Sequence, residues 1–131
     1  MHPNALSVSL PAGASLRLAL LLVTAIVLAA PPAVARSKPA SCQIASEGRV
    51  QFSGRCRFTA ERGGSFSLGP LRGRGRLYGS ILSVSVTLVG RGVAEVRGLT
   101  TGGINSRWGR AVRSKRDPAC WVGRGFRVCA R

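Results

Sequence analysis

The sequence predicts an all-β protein: a small antiparallel β-barrel or sandwich stapled by two disulfides and preceded by a signal peptide. Three observations carry that prediction. Short runs of alternating apolar and polar residues recur between residues 42 and 131, glycine-containing turns separate them, and no amphipathic helix stands out there. Four cysteines, an even set, all lie beyond residue 41. The closing run Ala119-Cys120-Trp121-Val122-Gly123-Arg124-Gly125-Phe126-Arg127-Val128-Cys129 has the spacing of a hairpin closed by its own cysteine pair.

The leader comes first in the chain. Up to residue 17 the only charges are Arg17 and the amino terminus, and residues 18–30 are apolar apart from Thr24. Ala33-Val34-Ala35 then places small residues where a signal peptidase reads, so cleavage is expected after Ala35. The apolar run is shorter than the ~20 residues that span a bilayer, so no transmembrane segment is expected once the leader is removed. Acylation at Cys42 is disfavoured, because Pro39-Ala40-Ser41 lacks the aliphatic residue that a lipobox requires. The expected organisation is a signal peptide over 1–35, a flexible lead-in over 36–41 and a single β domain over 42–131, destined for the periplasm or the medium and expected as a monomer.

Within the domain, Cys42-Gln43-Ile44 opens the first strand and Ser46-Glu47-Gly48 forms a turn. Val50, Phe52, Gly54, Cys56 and Phe58 then alternate on one face of a longer strand. A three-residue loop with Gly48 in the left-handed conformation sets Ile44 opposite Val50, and direct opposition of Cys42 and Cys56 then requires another register or a bulge near Ser53-Gly54. Gly63-Gly64 marks the next turn, Ser65-Phe66-Ser67-Leu68 a short strand with Phe66 and Leu68 inward, and Gly69-Pro70 its end. Residues 71–79 carry Arg72, Arg74 and Arg76 separated by glycines, with Leu77 and Tyr78 following, and form an exposed basic loop rather than a central strand.

Leu82, Val84, Val86 and Leu88 alternate with Ser83, Ser85 and Thr87, the mark of a sheet with one buried face. A loop at Gly90-Arg91-Gly92 pairs Leu88 with Ala94, Val86 with Val96 and Val84 with Gly98; a two-residue loop opposes Leu88 to Glu95 and spoils the buried face. Residues 104–112 have extended character broken by Gly109, and residues 113–118 concentrate charge before a turn. In the terminal hairpin a two-residue turn at Arg124-Gly125 pairs Gly123 with Phe126, Val122 with Arg127, Trp121 with Val128 and Cys120 with Cys129. Trp121, Phe126 and Val128 then share the face turned to the core, and Arg124 and Arg127 stay in solvent.

An exported chain of this size has a small core, which makes disulfides physically useful. Sequence alone leaves three connectivities for four cysteines. Proximity along the chain favours Cys42 with Cys56 and Cys120 with Cys129. The second pair closes so short a loop that chain entropy assigns it about 2.5 to 3 kcal/mol, as a structural staple rather than a redox pair, since CxxC is absent.

Loss of the leader removes Arg17 and keeps 19 of the 20 Lys and Arg and all four acids, a formal charge of +15. Such a field draws a protein to polyanions in a salt-dependent way, and it also simply keeps a small domain soluble. The anion-binding candidates are Arg72, Arg74 and Arg76 in the glycine-rich loop and Arg107, Arg110, Arg113, Lys115 and Arg116 further on. The partners expected are an anionic envelope lipid or glycan, or an acidic protein. Nucleic acid is disfavoured: the arginine-glycine run is short and holds no RGG triplet.

Catalytic chemistry finds little to use. The single histidine, His2, lies in the leader, so neither a Ser-His-Asp nor a Cys-His arrangement can assemble in the exported chain. The acids are Glu47, Glu61, Glu95 and Asp117, and no spacing brings two of them together as a glycosidase needs. The cysteine spacings are too wide for zinc, and no phosphate-binding loop precedes a helix. No enzyme activity, cofactor or metal is expected. Trp108, Trp121 and Tyr78 with neighbouring arginines are candidates for a sugar or anion groove, against the alternative that the tryptophans fill the core; Trp121 is expected in the core.

The leader, Gly64-Ser65-Phe66-Ser67 and the terminal Ala119-Cys120-Trp121 with Cys129 together resemble small exported proteins of unassigned function in alphaproteobacteria. That resemblance covers most of the exported chain and implies no catalytic residues. At a looser level the chain is similar to the small disulfide-bonded β-barrels of bacterial lysozyme inhibitors. Their Ser-Gly-x-x-Tyr loop is absent here, and a basic lysozyme repels a chain of this charge. The leading expectation is a non-enzymatic binding or structural protein of the envelope; the alternative is a periplasmic inhibitor or interaction module that uses Trp108.

Overall fold

The computed structural model describes residues 28–30 and 36–131. The expected cleavage site and nearly all of the expected leader lie outside the described residues. Eight strands follow one another: β1 (Arg36–Ser46), β2 (Arg49–Ala60), β3 (Phe66–Gly69), β4 (Ile81–Gly90), β5 (Val93–Thr100), β6 (Asn105–Arg113), β7 (Cys120–Gly123) and β8 (Phe126–Ala130), with one 3-10 turn at Arg62–Gly64. Each pairs antiparallel with the next, and β8 returns to β1 to close a barrel. Closure removes the free edges that a sandwich of so few strands exposes. All eight strands and both disulfides lie within residues 36–131, so this segment closes its barrel within itself.

The up-and-down order sends alternate connections to opposite ends. The β1–β2, β3–β4, β5–β6 and β7–β8 connections gather at what we call the upper end; the β2–β3, β4–β5 and β6–β7 connections and the carboxyl terminus gather at the lower end. Between them the interior is filled. Ile44, Leu68, Val84, Val86, Val96 and Val128 have no exposed surface, and each such side chain contributes about 1.5 to 3 kcal/mol through burial. An eight-stranded barrel is just wide enough for side chains to fill it. The outer wall carries Ser53, Arg55, Arg57, Ser85, Thr87, Arg97 and Arg107, the reverse of the apolar band that a membrane-spanning barrel turns outward.

Two hairpins form as their sequences predict. In the β4–β5 pair Leu88 meets Ala94, Val86 meets Val96 and Val84 meets Gly98. The loop itself differs in detail: Gly90 pairs with Val93, so the turn has two residues and Val89 bulges out. The bulge restores the register that a two-residue loop would otherwise spoil. In the β7–β8 pair Cys120 meets Cys129, Trp121 meets Val128 and Gly123 meets Phe126. Trp121 is 5% exposed, and Gly125 takes a φ of 75° in the turn. The Cys120–Cys129 bridge spans a Cα separation of 4.0 Å on the outward-facing side of the hairpin.

The first hairpin departs from expectation in three ways. Strand β1 starts at Arg36, six residues before the expected onset at Cys42, because residues 36–41 pair with β2 as far as Ala60 rather than forming a flexible lead-in. Its turn has two residues, Glu47 and Gly48, both at positive φ (51° and 73°). A bulge at Gln51 then pairs Ile44 with Phe52 instead of Val50. The bulge turns Val50 outward, where it is 55% exposed, although simple alternation places it inside. Cys42 and Cys56 do bond, but diagonally: Cys42 faces Gly54 and Cys56 faces Ala40, with the Cα atoms 5.9 Å apart. That separation lies inside the range a disulfide spans, so direct opposition is unnecessary.

Candidate functional site

Strand β6 breaks its pairing with β5 where Val96 meets Gly109 and Arg97 meets Arg107, leaving Trp108 as the extra residue. Gly109 absorbs the distortion with a φ of 118°. The bulge swings the indole across Gly98, where an added Cβ would lie 2.8 Å from the ring; only glycine leaves that seat open. Trp108 then meets Phe126 edge to face, with ring centroids 5.8 Å apart at 67°. From the β3–β4 connection, Tyr78 stacks on Phe52 at 6.2 Å. Partial burial pushes the Tyr78 phenol above its ordinary pKa.

The rings of Tyr78, Trp108 and Phe126 wall a hollow of about 290 Å³ at the upper end, completed by Ser46, Glu47, Arg124 and Gly125. The two hairpin turns that frame it are joined by the Glu47 amide, which donates to the Gly125 carbonyl at 2.8 Å. Of the aromatic candidates, the structure brings Tyr78 and Trp108 together here. Trp121 lies at the other end, beneath a second hollow of about 240 Å³ with Phe58, Phe66, Leu88 and Arg113. The Arg113 guanidinium sits 5.8 Å from the Trp121 ring, and Phe58 and Phe66 stack at 4.9 Å. Phe126, expected only as core, is the ring that completes the upper wall.

The basic candidates divide. Arg72, Arg74 and Arg76 are exposed in the β3–β4 connection, as predicted. The Arg57 Nη2 donates to the Gly73 carbonyl at 3.0 Å and anchors this segment on the outer wall, where Leu71 borders a small hollow with Ser37, Lys38 and Pro39. Arg55 is on the same outward face of β2, two residues along. The sequence reading omitted Arg55 and Arg57, although their alternation with Gly54, Cys56 and Phe58 marks them as outward. Arg107 and Arg110 stand on the β6 wall opposite Arg97 and Glu95. Arg113, Lys115 and Arg116 belong to the lower end, where Arg113 Nε donates to the Pro118 carbonyl at 2.8 Å. The candidates of residues 107–116 are thus divided between the β6 wall and the lower end.

Arg107 is already engaged, in an ion pair with Glu95. The hydrogen bond from Arg107 holds the Glu95 carboxyl below the usual carboxylate range; modest desolvation opposes it, and the charges of Arg107, Arg97 and Arg110 reinforce it. A carboxyl lowered on folding adds stability above its unfolded pKa and loses it as pH falls through the folded value. Arg107→Ala is therefore expected to raise the Glu95 titration midpoint toward the ordinary carboxylate value, read by carbon-13 NMR of the side-chain carboxyl. An unchanged midpoint would assign the shift to Arg97 and Arg110.

No protein-family model matches this chain, and comparison with curated proteins and with solved structures finds no similar one. Function has to be argued from the barrel's own surface.

Proposed function

We propose that the exported barrel is a non-enzymatic binding protein that attaches to anionic lipid or glycan of the cell envelope through its arginine-bearing wall. The observation that carries this reading is the anchoring of the arginine-glycine segment by Arg57. Gly73 and Gly75 separate the exposed Arg72, Arg74 and Arg76, and the Arg57 contact at Gly73 holds that backbone against a wall that already presents Arg55. Of the four acids, Glu95 and Asp117 form ion pairs with arginine among the described residues, so most of the positive charge faces solvent uncompensated. Guanidinium groups suit phosphate and carboxylate, whose oxygens they contact in pairs.

Residues 36–131 are expected to bind heparin, lipopolysaccharide and phosphatidylglycerol vesicles, with affinity falling steeply as salt rises. Arg55→Gln with Arg72→Gln should lower the salt concentration that elutes the protein from heparin by more than Lys115→Gln with Arg116→Gln does. Absence of binding at low salt would overturn the reading, and equal effects of the two pairs would leave only diffuse charge.

A further inference from the structure

The upper hollow places a carboxylate, a guanidinium and aromatic rings around one small volume. Glu95 and Asp117 are paired with Arg107 and Arg131, and Glu61 is exposed beside the 3-10 turn. Glu47 instead lines the hollow with Arg124 on the facing turn, and among the described residues the two form no ion pair with each other. Glu47 is also the only described non-glycine residue at positive φ. Asparagine is better suited to the first position of such a turn, yet a longer acid stands there, with its carboxylate over Gly125. A carboxylate next to aromatic rings recognises an ammonium group, which gains from a ring within about 6 Å. Trp108 and Phe126, set edge to face, supply two walls at an angle.

A simple cation is a poor ligand for a chain with 19 basic and four acidic residues in its exported part. A ligand that brings its own anion avoids that repulsion, and Arg124 is exposed at the rim to receive it. A guanidinium contacts two phosphate oxygens at once, and the doubly charged phosphate gains more than a carboxylate from the field of so basic a chain. A hollow of about 290 Å³ admits a head group rather than a polymer strand. We propose that this hollow binds a zwitterionic phospho-ammonium group, with its ammonium against Glu47 and the rings of Trp108 and Phe126 and its phosphate on Arg124. The inference deepens the envelope-binding reading but rests on different residues from the wall arginines.

Calorimetric titration of residues 36–131 with phosphoethanolamine, glycerol phosphate and ethanolamine tests it. Phosphoethanolamine should bind at least tenfold more tightly than either of the others. Glu47→Gln, which keeps the turn and removes the charge, and Arg124→Gln should each weaken it at least tenfold while leaving retention on heparin close to that of the parent. Glu47→Asn should raise the thermal midpoint, by relieving the turn, and still lose the ligand. Capture by phosphatidylethanolamine vesicles through the same two residues identifies a lipid source; binding of the free head group alone identifies a soluble or glycan-linked one. Equal affinity for glycerol phosphate and phosphoethanolamine, or no effect of Glu47→Gln, overturns the proposal. Loss of heparin and anionic-vesicle binding with phosphoethanolamine binding intact overturns the wall reading instead.

Discussion

Reduction of both disulfides is expected to lower the stability of the barrel by about 5 to 6 kcal/mol, since chain entropy assigns roughly 3 kcal/mol to each loop of this size. That is comparable to the whole stability of a marginal domain, typically about 5 to 15 kcal/mol. The reduced protein should therefore unfold at much lower denaturant than the oxidised one. The topology also says where it opens. Strands β1 and β8 meet only through the closing seam, where Ile44 pairs with Val128 and the Ser41 and Arg131 backbones exchange two hydrogen bonds of 2.7 and 2.8 Å. Cys42–Cys56 staples the hairpin on one side of that seam and Cys120–Cys129 the hairpin on the other. Closing a seam between the two ends of a chain carries the largest loop entropy in the fold, and the staples reduce it by stiffening both flanks. In the reduced protein, hydrogen exchange should speed first at amides of β1 and β8 and last in the β4–β5 hairpin. Uniform loss of protection would mean that the bridges act on the unfolded chain alone.

The same contrast explains what could be read from the sequence. The β4–β5 and β7–β8 hairpins are local: alternation of Val84, Val86 and Leu88 against Ala94 and Val96, or of Trp121 against Phe126 and Val128, combines with a glycine at the turn to leave one consistent register. The β1–β2 register was not legible, because it depends on a bulge at Gln51 that no glycine marks. Simple alternation therefore placed Val50 inside, and the diagonal reach of Cys42 to Cys56 looked like a mismatch. The onset of β1 at Arg36 was hidden for another reason. Two cations and a proline suit an exposed strand at the lower end as well as they suit a loose terminus. The candidate site shows the same division. The exposure of Arg72, Arg74 and Arg76 followed from their glycine neighbours, whereas their attachment to Arg57 and the meeting of Tyr78, Trp108 and Glu47 need strands far apart in sequence to become neighbours. Gly109 carried the one local signal for the Trp108 bulge, a break in an otherwise extended run.

Gly123→Ala is expected to destabilise the barrel by about 3 kcal/mol, at the upper end of ordinary overpacking. Gly123 pairs with Phe126 across the terminal turn, and a Cβ built on it overlaps the tip of the Phe126 ring. The ring cannot simply slide aside, because Trp108 meets it edge to face. Phe126→Ala removes the ring altogether and should lose about 3 to 5 kcal/mol. If the overlap is the cause, the two substitutions are not additive: once the ring is gone, the extra methyl at residue 123 no longer meets it. The double variant should then be more stable than the sum of the single losses implies by roughly 1 to 3 kcal/mol, as contacting pairs show. Denaturant unfolding of the four proteins measures that coupling, and near-ultraviolet circular dichroism reports whether Trp108 keeps its ordered edge contact in Gly123→Ala. Additive losses would place the Phe126 ring away from Gly123. A glycine in the last strand pair of a barrel is ordinarily a weakness, with no side chain to pack and more backbone freedom to lose. Here its missing side chain is what leaves room for the Phe126 ring beside the backbone, and that ring in turn meets the tryptophan that walls the upper hollow.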